Sequence, residues 1–375
     1  MRIAFIGCRH LLSDYSGIER GLVHLGPALV RRGHEVAVFG GRIADRRKAT
    51  DRHEGVAIVE VPALSGKHGE TLSRTALAVA LAAKGGFDVV HFTHQAPAIF
   101  APLAKAAGMA TVVTTAGLDW RRAKWGRVAK LSIRAAERVA VHCVDEIIVL
   151  AKAHAEYFYR AYRRSTVRVP NGLAPKPPPE NADEVLKLGL RPRDYVLFAA
   201  RLVPEKACHE LVDAWSLVKT EKRLVIAGAG EADYVAGLKR AADPEKVLFL
   251  GHVTGSRLEQ LFGHAYLFVL PSHLEGLSVA LLESMAHGVP ALVSDIRENV
   301  EVVEEDGFVF RVGDVGHLGE TLAALLADEP RVRAMTERVR QAARAKCSWD
   351  TVAALHDEIY RDLADREAFL RRMEA

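Results

Sequence analysis

A chain of 375 residues, 49% hydrophobic and 26% charged, is too long for one ordinary core; it fits two domains and excludes a disordered polymer. Its net charge of +4 is unevenly spread: residues 1–179 hold 27 Lys+Arg and 14 Asp+Glu, a balance of +13, which leaves 24 and 33, a balance of −9, for the rest. Four scattered cysteines (Cys8, Cys143, Cys208, Cys347) without CxxC spacing speak against a zinc site or disulfide framework and for a reducing cytoplasm, and no apolar run approaches the roughly 20 residues of a membrane span.

In chain order, the opening MRIAFIG reads as a strand and not as a signal peptide, since no extended apolar region or cleavage site follows. The loop CRHLLSDYSG leads to an amphipathic stretch from Ile18 to Arg32. Strands are expected at 33–40, 56–62, 87–92, 110–115 and 145–150, separated by helical stretches, which predicts βαβ units and a parallel sheet. VPNGLAPKPPPENAD (169–183) breaks this pattern with an Asn-Gly turn and Pro175, Pro177, Pro178 and Pro179. A second series follows, with strands at 194–202, 223–230, 246–253, 266–272 and 290–295 and helices such as 208–218 and 255–262. The expected domains are 1–170, a linker over 171–193, 194–350, and a C-terminal helix over 351–375. Two doubly wound domains would place a ligand cleft between the carboxyl ends of their strands.

SHLEGLSVALLESMAHGVP (272–290) is the most informative stretch. A strand, a loop and a helix closed by Gly288 put the amides of Leu277 and Ser278 at a helix N-terminus, a place for an anion such as a diphosphate. Glu275 lies in the loop, and Glu283 lies inside a helix with apolar residues at 277, 279, 281, 282 and 285. Carboxylates in such places need partners. Glu283 either holds ribose hydroxyls or pairs with a core arginine or indole N–H. ARLVPEKACHEL (200–211) brings Arg201 and Lys206 into one loop, where they are surface charges or offset a diphosphate. IAGAGE (226–231) is a strand and a glycine turn through Gly228 and Gly230, open to a close backbone approach by a ligand. It is not GxGxxG, because Asp233 takes the last place, which disfavours a dinucleotide. Gly17 in DYSGIER marks a strand-to-helix turn. The basic half suits an anionic membrane surface or anionic acceptor, with nucleic acid a less favoured partner, or is an unevenly charged solvated face.

Taken in order, SGIER…RRGHEV, DVVHF, GLDWRRAKWG, DEIIVL, VPNGL, ARLVPEK, AGAGE, LGHV and SHLEGLSVALLESMAHGVP…SD resemble the retaining glycosyltransferases of family 4, which have the GT-B fold of two Rossmann-like domains facing a central cleft. The matches span about residues 1–320, and CSWDTVAALHDEIY (347–360) resembles the family's last helix, which often crosses back to the first domain. GLDWRRAKWG is similar to a subgroup associated with bacterial surface polysaccharide assembly.

The resemblance implies a UDP- or GDP-sugar donor, a hexose-type sugar, and a saccharide, lipid-linked or small-molecule acceptor with a hydroxyl. It implies no metal, no cofactor and no nucleic-acid partner. Glu283 would bind the ribose, Arg201 and Lys206 the diphosphate, and Glu275 the transferred sugar. Gly276, Leu277 and Ser278 would offer amides to phosphate and sugar. The backbone at His252 and Val253 would read the base, and Gly17, Gly228 and Gly230 would leave room for donor and acceptor. His94, Asp119 and Trp120 are acceptor-side candidates. The implied location is cytoplasmic, with a peripheral contact at the inner membrane face through the basic domain.

Departures from the family pattern are concrete. Ala116 stands where a sugar-contacting histidine usually precedes GLDW, Ala200 and Ala207 replace glycines flanking ARLVPEK, and RENVEVVEEDG replaces a glycine-bearing stretch after SDI. The first leaves three readings: an unusual donor sugar, replacement by His91 or His94, or impaired transfer. Two other functions fit the same features: a GT-B enzyme of different chemistry, such as a nucleotide-sugar epimerase or an N- or S-glycoside-forming enzyme, and a non-catalytic nucleotide-sugar-binding subunit.

Overall fold

The computed structural model describes the chain apart from residues 14–16, 43–49, 65–68, 116, 122–125, 346–347 and 375. It forms two compact units, Met1–Gly172 with Cys347–Ala375, and Leu173–Lys346.

In the first unit, β1 (Arg2–Ile6), α1 (Gly17–Arg31), β2 (Glu35–Gly40), β3 (Arg52–His53), β4 (Val56–Glu60), α2 (Gly69–Lys84) and β5 (Val89–Phe92) follow in turn. Then come α3 (Ala101–Ala106), β6 (Ala110–Thr115), α4 (Arg127–Cys143), β7 (Glu146–Val149), α5 (Lys152–Tyr162) and β8 (Val167–Arg168). Among the described residues the strands form one sheet in the order β3-β4-β2-β1-β5-β6-β7-β8. All pairs are parallel except β3 with β4. The winding reverses between β1 and β5, so the carboxyl ends of these two strands flank a crevice of the kind that holds ligands in open α/β sheets.

The second unit runs through α6 (Asp183–Leu186), β9 (Tyr195–Ala199), α7 (Cys208–Ser216), β10 (Arg223–Ala227), α8 (Ala232–Ala241), β11 (Val247–Gly251) and α9 (Gly255–Gly263). It continues with β12 (Leu267–Leu270), α10 (Val279–Ala286), β13 (Ala291–Ser294), α11 (Arg297–Val303), β14 (Phe308–Phe310), α12 (Val315–Ala327) and α13 (Glu329–Ala345). The sheet order is β11-β10-β9-β12-β13-β14, all parallel, and it reverses between β9 and β12. Both faces are covered, which explains the unbroken apolar strands: Tyr195, Leu197 and Ala199 enter one core, and Val196 and Phe198 the other.

The structure corrects the expected linker. The proline run has no regular structure, but Leu173, Val185 and Leu190 are buried in the core of the second unit and α6 lies within the stretch. The Lys176 N–H donates to the Ala286 carbonyl at 2.8 Å, and the Glu184 N–H to Gln260 Oε1 at 2.8 Å. Residues 173–193 are thus a built part of that unit, because their apolar side chains have a core to enter.

The final helix, α14 (Trp349–Glu374), begins two residues before the expected start and belongs to the first unit. Val352, Ala353, Tyr360 and Leu363 share a core with Leu22, Leu25 and Leu29 of α1, and Trp349 stacks on His24 with ring centroids 5.3 Å apart. Among the described residues, no helix is long and apolar enough to cross a membrane.

Candidate donor site at the switch point of the second sheet

The segments on either side of the β9/β12 reversal carry the sequence candidates. After β9 the chain stays beside the exit of β10: the Ala200 N–H donates to the Ala227 carbonyl (3.1 Å) and the Leu202 N–H to the Ala229 carbonyl (2.8 Å). A Cβ on Gly228 would come within 1.9 Å of the Ala200 carbonyl oxygen, and one on Gly230 within 2.0 Å of that of Leu202. The close approach these glycines permit is therefore to the protein's own backbone. They seat the Arg201 segment.

The Pro204–Lys206 turn ends at Ala207, a buried residue with φ +51° and ψ +33° that caps α7. This is one of the glycine replacements noted above, and the position has the left-handed backbone that glycine adopts without penalty. Ala200 has no such constraint.

Across the reversal, Glu275 is only 6% exposed. Its Oε1 accepts from Lys206 Nζ at 2.5 Å, an ion pair nearly closed to solvent. Its loop is tied on both sides. Toward β13, Ser294 Oγ donates to the Ser272 carbonyl (2.5 Å) and Asn299 Nδ2 donates to Ser294 Oγ (3.0 Å), all three residues being buried. Toward β9, the His273 N–H donates to the Glu205 carbonyl (2.9 Å), and His273 Nε2 lies 2.7 Å from Glu210 Oε1.

Ser278 caps α10 by accepting from the Leu281 N–H at 3.3 Å, and the helix ends at His287 with Gly288 at φ +68°. The amides of Gly276, Leu277 and Ser278 donate to no acceptor among the described residues. The guanidinium of Arg201 likewise has no hydrogen-bond or ion-pair partner among them, so this side chain is available to an anion.

The two glutamates exchange the burial expected of them. Glu283 is half-buried, on the α10 face it shares with Val279 and Ala280, whereas Leu281, Leu282, Ser284, Met285 and Ala286 are buried. Residues 276–278, Glu275, Lys206 and Arg201 gather at the β9/β12 reversal. His252 is exposed and Val253 half-buried, both just past β11 at the edge of the sheet. Among the described residues, no cluster of three or more His, Cys, Asp or Glu could hold a metal ion.

The remaining candidates lie in the first unit. Gly17 opens α1. His94 follows β5 at that sheet's own reversal, 3.2 Å from where a Cβ on Gly7, just past β1, would stand. Trp120 is half-buried under Arg134 and Arg121, whose guanidinium carbons lie 4.8 and 5.3 Å from the ring centre. Asp119 falls in the same single turn. His91 cannot stand in for a sugar-contacting histidine: it is buried against α14, bonded to Tyr360 Oη (2.6 Å) and Thr114 Oγ1 (2.7 Å). Ala116, residues 14–16 of DYSGIER and Cys347 lie outside the described residues.

Two interactions went unforeseen, the His273–Glu210 pair and the Ser272–Ser294–Asn299 network. Each joins residues far apart in sequence, and a periodic or capping signal does not reach that far.

Residues 15–176 match the family described as Glycosyltransferase Family 4, and residues 193–328 the family described as Glycosyl transferases group 1. The chain is 31% identical over 184 residues to a GDP-mannose-dependent alpha-(1-6)-phosphatidylinositol monomannoside mannosyltransferase of Mycobacterium tuberculosis, covering 45% of this chain and 47% of that one. It spans about half the length of the curated relatives it matches. Among solved structures, sucrose-phosphate synthase of Thermosynechococcus elongatus superposes with a TM-score of 0.83 at 20% identity, over 96% of this chain and 98% of that one. HepE of Anabaena in complex with UDP-glucose superposes with a TM-score of 0.80 at 19% identity, over 96% and 100%. With both halves of the sequence matched by family models and nearly the whole chain superposing on such structures, this chain belongs to the family 4 glycosyltransferases and has the GT-B fold.

Proposed function

We propose that the chain transfers a hexose-type sugar, with retention, from a UDP- or GDP-sugar to a hydroxyl acceptor, in polysaccharide, glycolipid or natural-product assembly. The observation that carries this reading is the buried Lys206–Glu275 pair at the β9/β12 reversal, beside an Arg201 guanidinium with no partner among the described residues. A buried ion pair adds little stability over an apolar one, so its presence at a ligand crevice calls for a task beyond folding.

In the proposed chemistry, Arg201 and Lys206 offset the diphosphate charge and stabilise it as it departs, with no divalent ion required. The amides at 276–278 and the N-terminus of α10 add partial positive charge at the same place. Glu275 faces the transferred sugar near the reacting carbon, and Glu283, on the half-open face of α10, holds the ribose. The backbone at His252 and Val253 reads the base. The acceptor belongs to the first unit, on the side of Gly17, His94, Asp119 and Trp120, and the departing phosphate takes its proton during front-face attack.

A cytoplasmic site is proposed, with the basic half resting on an anionic membrane face. The exposed stripe Arg127, Leu131, Arg134 and Arg138 of α4 supports that contact, with spacings of three and four residues along one helix face.

A thermal-shift panel of UDP, GDP, UDP-glucose and GDP-mannose tests the donor reading. A ligand at about 100 times its Kd, bound only to the folded state, adds about 2.7 kcal/mol. Glu283→Ala is expected to abolish that shift while leaving the ligand-free melting temperature in place. No shift with any of the four ligands sinks the reading. A badly destabilised Glu283→Ala protein assigns that carboxylate a structural ion pair instead.

A further inference from the structure

The loop from Pro271 to Ser278 has no regular structure of its own, yet it holds a carboxylate that is almost completely buried. Its order must come from its tethers. Two side-chain pairs cross from it to the segment after β9: His273 meets Glu210, and Glu275 meets Lys206.

The charge pattern of these pairs fixes how the loop sits. The loop presents a base and an acid two residues apart. The facing segment presents Lys206 and Glu210, again a base before an acid, and the two pairs cross, His273 to Glu210 and Glu275 to Lys206. Shifting the loop so that Glu275 leaves Lys206 for the neighbourhood of Glu210 would set two carboxylates together, an unfavourable contact in place of a favourable one. The N–H of His273 on the Glu205 carbonyl holds the same register from the backbone.

Glu210 has little reason to be where it is for stability alone. Its side chain is 12% exposed, its Oε1 is shared between His273 at 2.7 Å and His209 at 3.9 Å, and its Oε2 is buried with no hydrogen-bond partner among the described residues. His209 is itself held by Tyr234 Oη at 2.9 Å. A half-satisfied carboxylate with a buried oxygen is a cost to the fold, and its pairing with His273, two residues before Glu275, points to what that cost serves.

We infer that His273 and Glu210 form a clamp that positions Glu275 while Lys206 engages the donor. This rests on the donor-site reading above. When a diphosphate draws the Lys206 ammonium toward itself, Glu275 loses part of its one side-chain tether among the described residues, and the His273–Glu210 pair with the His273 backbone bond keeps the carboxylate where the sugar arrives. Both are positioning residues; neither touches the reacting atoms. The clamp therefore bears on the sugar portion of the donor and hardly at all on the nucleoside diphosphate, which Arg201 and the α10 amides hold.

Calorimetric titration of the full chain with UDP, GDP, UDP-glucose and GDP-mannose tests this. His273→Ala is expected to weaken whichever nucleotide sugar the wild type binds by about tenfold, the size of one charge-assisted hydrogen bond, and the matching bare nucleoside diphosphate by less than about threefold. His273→Gln keeps an N–H donor near the reach of Nε2 and is expected to restore most of the loss, whereas Glu210→Ala in the His273→Ala background adds nothing further. Should His273→Ala prove too unstable, Glu210→Ala carries the same comparison, since it removes the same hydrogen bond from the other side and is expected to weaken the nucleotide sugar by about tenfold and the bare nucleotide by less than about threefold. Equal losses for sugar nucleotide and bare nucleotide, or no loss at all in a wild type that binds, overturn the clamp and leave the donor site standing. A wild type that binds none of the four ligands overturns the donor-site reading itself, and the clamp with it.

Discussion

At the carboxyl rim of the second sheet, buried Glu275 is paired with half-buried Lys206; where α14 packs on the first sheet, His91 and His356 are buried as rings held neutral. His91 meets hydroxyls on both nitrogens, and a hydroxyl can donate to one ring nitrogen or accept from the other, so the neutral ring is satisfied in either tautomer. His356 stacks on it, centroids 5.7 Å apart, and donates from Nδ1 to the Val352 carbonyl at 2.8 Å. Burial lowers the pKa of both rings, that of His356 to about 4. Next to them His34 bonds Asp357 of α14 at 3.0 Å and is also lowered, chiefly by burial. The contrast separates two uses of buried polarity. The rim keeps charge that a ligand can draw on, while under α14 the His91 and His356 rings stay neutral and hydrogen-bonded, and the charged pairs that dock the helix, Arg31 with Asp350 and Arg32 with Asp357, lie around them.

The largest expected effect breaks the first half of that comparison. Lys206→Met leaves Glu275 buried and unpaired, and is expected to lower unfolding stability by about 3–5 kcal/mol, measured by urea denaturation. The double variant Lys206→Met/Glu275→Leu is expected to recover most of this while failing to bind any nucleotide sugar. If the single variant is as stable as the wild type, the pair is not desolvated as described.

Acid sharpens the second half. Below pH 6.5 the unfolded chain protonates these histidines while the folded one does not, so the unfolded state binds more protons and stability falls as pH falls. The stabilisation is complete above about pH 6.5 and falls away below it, for His356 down to about pH 4, at up to about 1.4 kcal/mol per pH unit for each histidine. Urea midpoints at pH 7.5 and 5.0 check this, and His356→Leu should flatten the dependence. An unchanged slope in that variant would place the acid sensitivity elsewhere.

The smallest effect concerns the turn that carries Lys206. Ala207→Gly relieves a left-handed alanine and is expected to add about 0.5–1 kcal/mol, after the greater freedom of glycine in the unfolded chain is offset. A fall in melting temperature would show that the Ala207 methyl contributes more through packing than its backbone loses through strain.

Much of the frame was legible from local chemistry. The alternation of apolar strands and helices and the Gly288 stop depend on neighbours a few residues away, and the chain alone determined them. It also placed Arg201, Lys206 and Glu275 after β9 and β12, because loops that follow parallel strands can only emerge at the carboxyl rim. The short strands β3, β8 and β14 were not legible: two or three residues carry no period, and these segments are strands only because a neighbour pairs with them. The glycines of IAGAGE could be recognised as a point of close approach, but not that the approaching backbone was the protein's own.

What tertiary structure decided lies at long range. Lys206 and Glu275 are 69 residues apart and His34 and Asp357 are 323 apart, and no local rule selects such partners. Sequence named both Glu275 and Glu283 as carboxylates in need of a partner and expected the helical one to lie deeper. Folding reversed that order, because burial follows from which segments the β9/β12 reversal and the core of α10 bring together, and a one-dimensional pattern records only which residues are apolar.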